Sequence, residues 1–166
     1  MMKHKIASLC LICLLAGLLV FAGVELLLAG SAPKVTGGVG FMMTNGQGEE
    51  VRAFAEFEAK AVFDSVNNIW GRGWIKYHDA DGMRFRVDVQ CLRVFGDSMA
   101  FFSGPVVSAS DTMLIGQYLL VGVWDGGTPG SKGDKIWGEF YHYDPGCSNF
   151  PSGEATPVES GNLVIH

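Results

Sequence analysis

Gly96-Asp97-Ser98-Met99 sets a serine beside a carboxylate, the residue types of a nucleophilic hydrolase. Such a serine attacks only when a base within hydrogen-bond reach takes its proton and a third group orients that base. The block works at a strand end leading into a helix, with an Asp-x-x-His pair further along the chain. Here it lies between two strand patterns, no such pair follows, and no Gly-x-Ser-x-Gly elbow is present. Gly-Asp-Ser is also good turn chemistry. The expectation is a hairpin turn and a protein that is not an enzyme, with no catalytic residue assigned.

The histidines beyond the leader, His78, His142 and His166, lack the closed-site spacings of zinc, such as Cys-x-x-Cys or His-x₃-His. Asp125 and Asp134 bracket one glycine-rich loop, so their carboxylates are the weak candidates for calcium. Calcium takes six to eight oxygens, which loop carbonyls would have to complete. Turn capping by Asp is the commoner role. No cofactor and no metal are expected.

Aromatic and cationic residues make the most distinctive pattern. In the stretch 69–78, Trp70, Arg72, Trp74 and Lys76 alternate with Ile69, Ile75 and Tyr77. In 135–143, Lys135, Trp137, Glu139, Tyr141 and Tyr143 alternate with Ile136 and Phe140. A strand places successive side chains on opposite faces, so rings and charges share the wet side. Rings so placed stack on sugars or on a partner's apolar surface, while neighbouring Arg or Lys hydrogen-bond. Trp70, Arg72, Trp74, Trp137 and Tyr141 are therefore the candidate recognition surface. The competing account is that cationic stems cover the rings, or that the strands turn the other face inward.

The elements that must position these residues follow from period two. Val51, Ala53, Ala55, Phe57, Ala59, Ala61 and Phe63 alternate with Arg52, Glu56, Glu58 and Lys60. Met83, Phe85, Val87, Val89 and Cys91 alternate with Arg84, Arg86, Asp88 and Gln90, which places Cys91 on the inner face. Further strands are expected over 35–43, 69–78, 100–108, 117–125, 135–143 and 161–165. Turn residues separate them at 44–48, 79–82 and 96–98, and a longer loop spans 126–134 with Pro129 at its tip. An irregular excursion spans 143–160, holding Pro145, Pro151, Pro157 and Cys147.

The predicted fold is all-β, a single antiparallel meander of about eight strands closed as a small barrel or folded as a sandwich. Its inner set includes Phe41, Phe57, Ile69, Ile75, Phe85, Val87, Val89, Phe101, Leu119, Val121, Val123, Ile136, Phe140, Leu163 and Ile165.

An N-terminal apolar helix is expected to precede this domain. Lys3 and Lys5 stand before an uncharged run from Ile6 to Val24, and small residues close the segment at Ala29-Gly30-Ser31-Ala32. That is the pattern of a signal peptide, although the run is also long enough to span hydrocarbon. Residues 1–32 are thus a signal peptide or an N-terminal membrane anchor, and 33–166 an extracytoplasmic β domain. Either way the domain is translocated, secreted or held at the membrane by residues 6–30. Cys10 and Cys13 fall inside the apolar run. Cys91 and Cys147 remain, and an even count in an oxidising compartment predicts one disulfide. Closing a loop of roughly 55 residues contributes on the order of 3–4 kcal/mol by chain entropy.

Removing Lys3, Lys5 and Glu25 from the chain totals of 12 basic and 17 acidic residues leaves 10 and 16, a net charge of −6. The charges are interspersed, which argues for a soluble surface and against nucleic acid, whose phosphates need a basic stripe.

The stretch Val121-Gly122-Val123-Trp124-Asp125-Gly126-Gly127-Thr128-Pro129-Gly130, followed by Lys132-Gly133-Asp134, resembles a recurring segment of bacterial secreted post-COAP-1 domains. The ending Ser160-Gly161-Asn162-Leu163-Val164-Ile165-His166, the opening Lys34-Val35-Thr36-Gly37-Gly38 and Val89-Gln90-Cys91-Leu92 are similar to that family too. The chain departs from it at Trp124-Asp125-Gly126, where Asp-Asn-Gly is expected. The resemblance implies an extracytoplasmic β module of unestablished activity and transfers no catalytic residue.

The functional expectation is a non-enzymatic extracytoplasmic module for structural or adhesive surface interaction, with a surface glycan or protein as partner. Membrane contact would come only through the N-terminal segment. The alternatives are a lipocalin-like barrel that binds an apolar or aromatic ligand in its lumen, and a calcium-binding surface module.

Overall fold

The computed structural model describes residues 32–63, 69–127, 130–147 and 153–166. The expected leader over residues 1–31 with Cys10 and Cys13, Pro129 and Pro151, and the side chains of Phe63 and Ile69 lie outside the described residues. Residues 32–166 form one compact unit.

The described residues form nine strands: β1 (Lys34–Thr44), β2 (Glu50–Phe63), β3 (Ile69–Asp79), β4 (Arg84–Val89), β5 (Cys91–Phe95), β6 (Met99–Ala109), β7 (Tyr118–Trp124), β8 (Lys135–Tyr141) and β9 (Thr156–Ile165). One 3-10 turn, Thr112–Leu114, follows β6 and is capped by Asp111, whose carboxylate accepts from the Met113 N–H. The described residues are all-β, an antiparallel meander. Among the described residues no helix is long and apolar enough to cross a membrane.

The sheet order is β4-β3-β2-β1-β9-β8-β7-β6-β5, with a further pairing of β4 to β6. Gln90 joins β4 to β5. Its carbonyl accepts from the Gly71 N–H of β3 at 2.8 Å and its N–H donates to the Ser103 carbonyl of β6 at 2.8 Å. β4 and β5 are thus two halves of one bent strand, and the pairings return on themselves as a ring. That arrangement leaves few unpaired backbone groups for other chains to join. The weakest joint is β8 to β9, where only Lys135↔Pro157 and Ile136↔Thr156 pair.

The bend explains nine strands where about eight are expected. It needs glycine at two places. A Cβ on Gly71 would collide with the Cys91 backbone, and one on Gly104 with the Asp88 carbonyl.

The bend also corrects two expectations about faces. Phe85, Val87 and Val89 point inward as expected, but past Gln90 the alternation shifts by one residue. Leu92 is the inward residue and Cys91 points outward. On β6, Ala100 and Phe102 join the core while Phe101 lies on the opposite face, against Trp124 of β7. β6 and β7 are therefore buried on both sides, which period two reports as a near-continuous apolar run.

The Cys91–Cys147 disulfide forms on this outer face. It pins the segment after β8 over Leu120 and Ser103, both fully buried, with Ser103 Oγ 3.0 Å from Cys91 Sγ. A further correction concerns β9, which begins at Thr156 and not at Gly161. Pro157 is tolerated there because it sits at the strand's start, where the ladder to β8 is ending.

Inside the ring, Val35, Val39, Ala53, Phe57, Ala59, Val87, Phe102, Val123 and Leu163 are closely buried. This part of the core is filled. The other part, toward Met43, Tyr77 and Phe140, is not.

Candidate functional site

Strand β3 alternates as its residues require. Ile75 and Tyr77 are buried, while Trp70, Arg72, Lys76 and His78 face water and Trp74 is half-buried among them. Trp70 keeps 54% of its surface exposed. On the neighbouring strands the outward partners are set by register. Trp74 stands between Glu58 of β2 and Asp88 of β4, Lys76 between Glu56 and Arg86, and His78 between Phe54 and Arg84.

The ring faces and cations of this face touch one another, so Lys76 covers part of the Trp74 ring. Lys76 Nζ lies 4.8 Å from the Trp74 ring centroid, and His78 stacks on Phe54 at 5.1 Å. Arg86 bonds Asp88 at 3.3 Å and Lys34 bonds Glu58 at 2.9 Å. Among the described residues, Arg72, Lys76 and Arg84 have no carboxylate within ion-pair distance. Six of the domain's ten basic residues (Arg52, Lys60, Arg72, Lys76, Arg84 and Arg86) lie on β2, β3 and β4. The carboxylates Glu50, Glu56 and Glu58 lie on β2, so the cationic excess is confined to the outer row of β3 and β4, where Arg72, Lys76, Arg84 and Arg86 face one exposed carboxylate, Asp88.

Lys76, His78, Arg84 and Arg86 border an open groove of about 900 Å³ whose far side is Ser108 of β6 and Ser110 just beyond it. Directly opposed like charges such as Lys76↔Arg86 cost stability in an antiparallel pair.

Trp137 and Tyr141 do not join this face. They point outward from β8, and β8 lies four pairings from β3 in either direction round the ring. The candidate surface expected from sequence is thus divided: Trp70, Arg72 and Trp74 on one side, Trp137 and Tyr141 on the other. Trp137 lies beside Gly153, where an added Cβ would come 3.0 Å from the indole nitrogen. The Tyr141 hydroxyl donates to Glu139 at 2.7 Å, and desolvation together with that carboxylate pushes its pKa up to about 12.

Arg84, Arg86, His78 and Phe54 share this outer face by register, where the sequence pattern alone does not place them. Their signal was present, since Arg84, Arg86 and Asp88 alternate with an inward set. What was missing is the β3–β4 register that brings them beside Lys76.

The remaining candidates are placed as follows. Gly96, Asp97 and Ser98 form the exposed turn between β5 and β6. His142 is exposed, and His166 exchanges backbone hydrogen bonds with Lys34. Asp125 accepts from the N–H groups of Gly127 at 2.8 Å and Ile165 at 3.2 Å. Asp134, 1% exposed, accepts from Gly126 N–H at 2.9 Å, and its second oxygen has no partner among the described residues. Both carboxylates therefore brace the loop. No group of three or more His, Cys, Asp or Glu able to hold a metal occurs among the described residues.

The second concave feature is internal. A cavity of about 190 Å³ lies between the inner faces of β1, β2, β3, β4, β7 and β8 and reaches the β8–β9 joint at Trp137, Gly138 and Thr156.

No protein-family model, curated protein or solved structure matches the chain.

Proposed function

We propose that residues 33–166 form a non-enzymatic extracytoplasmic module, closed as a small barrel, that adheres to an acidic glycan through the outer face of β3 and β4. The observation that carries this reading is the row Trp70, Arg72, Trp74, Lys76 beside Arg84, with an exposed indole and three cations that have no ion-paired carboxylate among the described residues. Indole faces stack on the apolar faces of sugar rings, and guanidinium or ammonium groups pair with uronate or sulfate oxygens. Residues two apart on a strand are about 6.8 Å apart, so rings and cations recur along the chain direction of an extended polymer.

Several features support the compartment. The basic, apolar and small-residue order of the first 32 residues is that of an export leader, cleaved or kept as an anchor. A disulfide between Cys91 and Cys147 persists outside the reducing cytosol. The resemblance to post-COAP-1 domains points the same way. The ring of pairings favours a barrel over a sandwich.

Retention of the purified protein on immobilised heparin and alginate, with neutral dextran as control, tests the reading. Retention on the acidic polymers is expected to fall with salt. The Lys76→Glu/Arg84→Glu pair should weaken it at least tenfold, and Trp70→Ala should weaken it at constant charge. Equal retention on dextran, or retention indifferent to charge reversal in a folded variant, would sink the proposal. Fractionation of native cells with N-terminal sequencing tests the location.

A further inference from the structure

The inner cavity is a second site, separate from the outer face. Its walls are apolar: Phe41 and Met43 from β1, Phe57 from β2, Met83 and Phe85 around β4, and Phe140 from β8. Of the two hydroxyls on its wall, that of Tyr77 is already engaged and that of Thr156 lies at the β8–β9 end beside Trp137. Tyr77 donates to Asp79 Oδ2 at 3.0 Å, and its oxygen is 2.7 Å from the Met43 sulfur. The other Asp79 oxygen accepts from the Met83 N–H at 2.9 Å. Water in a buried site needs two to four polar partners, and an apolar cavity of roughly 150 Å³ stays dry and accepts a benzene-sized guest. At about 190 Å³ this cavity holds one ring with a small substituent and is too small for a fatty acid or a fused polycycle.

A void of this size costs stability where side chains could fill it. Gly138 is the residue that leaves it open. It lies between Ile136 and Phe140 on the inward side of β8, and a Cβ there would meet only Leu119 Cδ1 at 3.6 Å and the Leu120 carbonyl at 3.9 Å. A Cβ thus fits without strain, yet the strand carries glycine. Access is provided beside it. β8 parts from β9 after Ile136, and Phe140, an inward residue, remains 36% exposed with its ring edge-on to Phe85 at 5.4 Å.

We infer that this cavity binds a small, neutral, single-ring aromatic molecule. Phenylalanine faces and two thioethers favour a flat polarisable ring over an alkyl chain, and a wall with no charged side chain among the described residues rejects charged compounds.

Methyl NMR of the purified full-length protein, titrated with toluene and with benzoate, tests this. The Met43 and Met83 methyl signals are expected to shift saturably with toluene, while Met113, 80% exposed, stays fixed and benzoate moves none of them. Absence of a saturable shift at Met43 and Met83, or an equal shift at Met113, overturns the inference. In Gly138→Leu the toluene response should vanish and the melting temperature should not fall. A folded Gly138→Leu protein that still responds overturns it too, and should that variant not fold, the wild-type titration alone decides.

Discussion

The Tyr77 hydroxyl donates to the Asp79 carboxylate two residues further along β3, at 3.0 Å, and both groups are buried. Asp79 in turn accepts from the Met83 N–H, so a hydrogen-bonded path runs from the cavity wall to the β3–β4 turn. That turn sets the register which places Lys76 opposite Arg86 and His78 opposite Arg84.

Burial, then the hydrogen bond and negative charge of Asp79, raises the Tyr77 pKa well above the ordinary tyrosine range. The folded state therefore keeps the proton longer than the unfolded chain does. This contribution is complete below pH 10, the unfolded value, and is lost as pH rises from there toward the folded pKa. Tyr77→Phe should cost about 1 kcal/mol at pH 7 through the lost hydrogen bond. It should also flatten the fall in stability above pH 10. Urea melts at pH 7 and pH 11 check both, and an equally steep alkaline fall in the variant would contradict them.

Gly71 sits where β3 crosses the bent strand, with its N–H donated to Gln90. Because a Cβ there meets the Cys91 backbone and not a mobile side-chain end, Gly71→Ala must shift the bend. The expected cost is about 1–3 kcal/mol, typical of overpacking. Gly82, which has open space around its missing Cβ but a φ of +89°, provides a contrast. Gly82→Ala should cost about 1 kcal/mol through backbone conformation, and Gly82→Asn less, since Asn tolerates that region. Thermal denaturation of the three variants distinguishes steric from conformational loss.

The bend also marks the boundary of what local pattern reveals. Alternation identified the β2, β3 and β4 faces correctly because each has one wet side, and a one-residue error would have exposed Phe57 or Val87. It failed at Cys91 and Phe101. Gln90 shifts the phase without any unusual residue, and the glycines that permit it, Gly71 and Gly104, are distant in sequence. Trp70 and Trp74 were legible as a row on one strand. Their separation from Trp137 was not, because closure of the ladder depends on long-range pairings such as Val35↔Ile165. The cavity was illegible for a similar reason: Gly138 reads as an ordinary strand glycine until Leu119 and Phe85 surround the space it leaves.

Asp125 and Asp134 give a prediction about metal removal. Three of their four carboxylate oxygens already accept backbone N–H groups. That is loop bracing, and it leaves little of the six to eight oxygens calcium takes. Calorimetric melting temperatures in excess calcium and in excess chelator should agree. Asp134→Ala should instead cost about 1 kcal/mol by removing the hydrogen bond from the Gly126 N–H. A calcium-dependent rise in melting temperature that Asp134→Ala abolishes would replace this account with a metal site.

Cys91 and Cys147 are 56 residues apart, and their link holds the segment after β8 against the outer face of β5, β6 and β7. Chain entropy assigns such a cross-link roughly 4 kcal/mol. For a domain of this size, losing it should lower the melting temperature by on the order of ten degrees. The loss should also be local before it is global. Leu120, Ser103 and Cys147 are buried only on that face, whereas β1, β2 and β3 bury Val35, Phe57 and Ile75 inside the ring. Hydrogen exchange of the Cys91→Ser/Cys147→Ser protein should therefore accelerate first over 142–147 and 153–155, with β2 and β3 still protected. Uniform acceleration across all nine strands would mean that the disulfide holds the ring itself and not merely its cover.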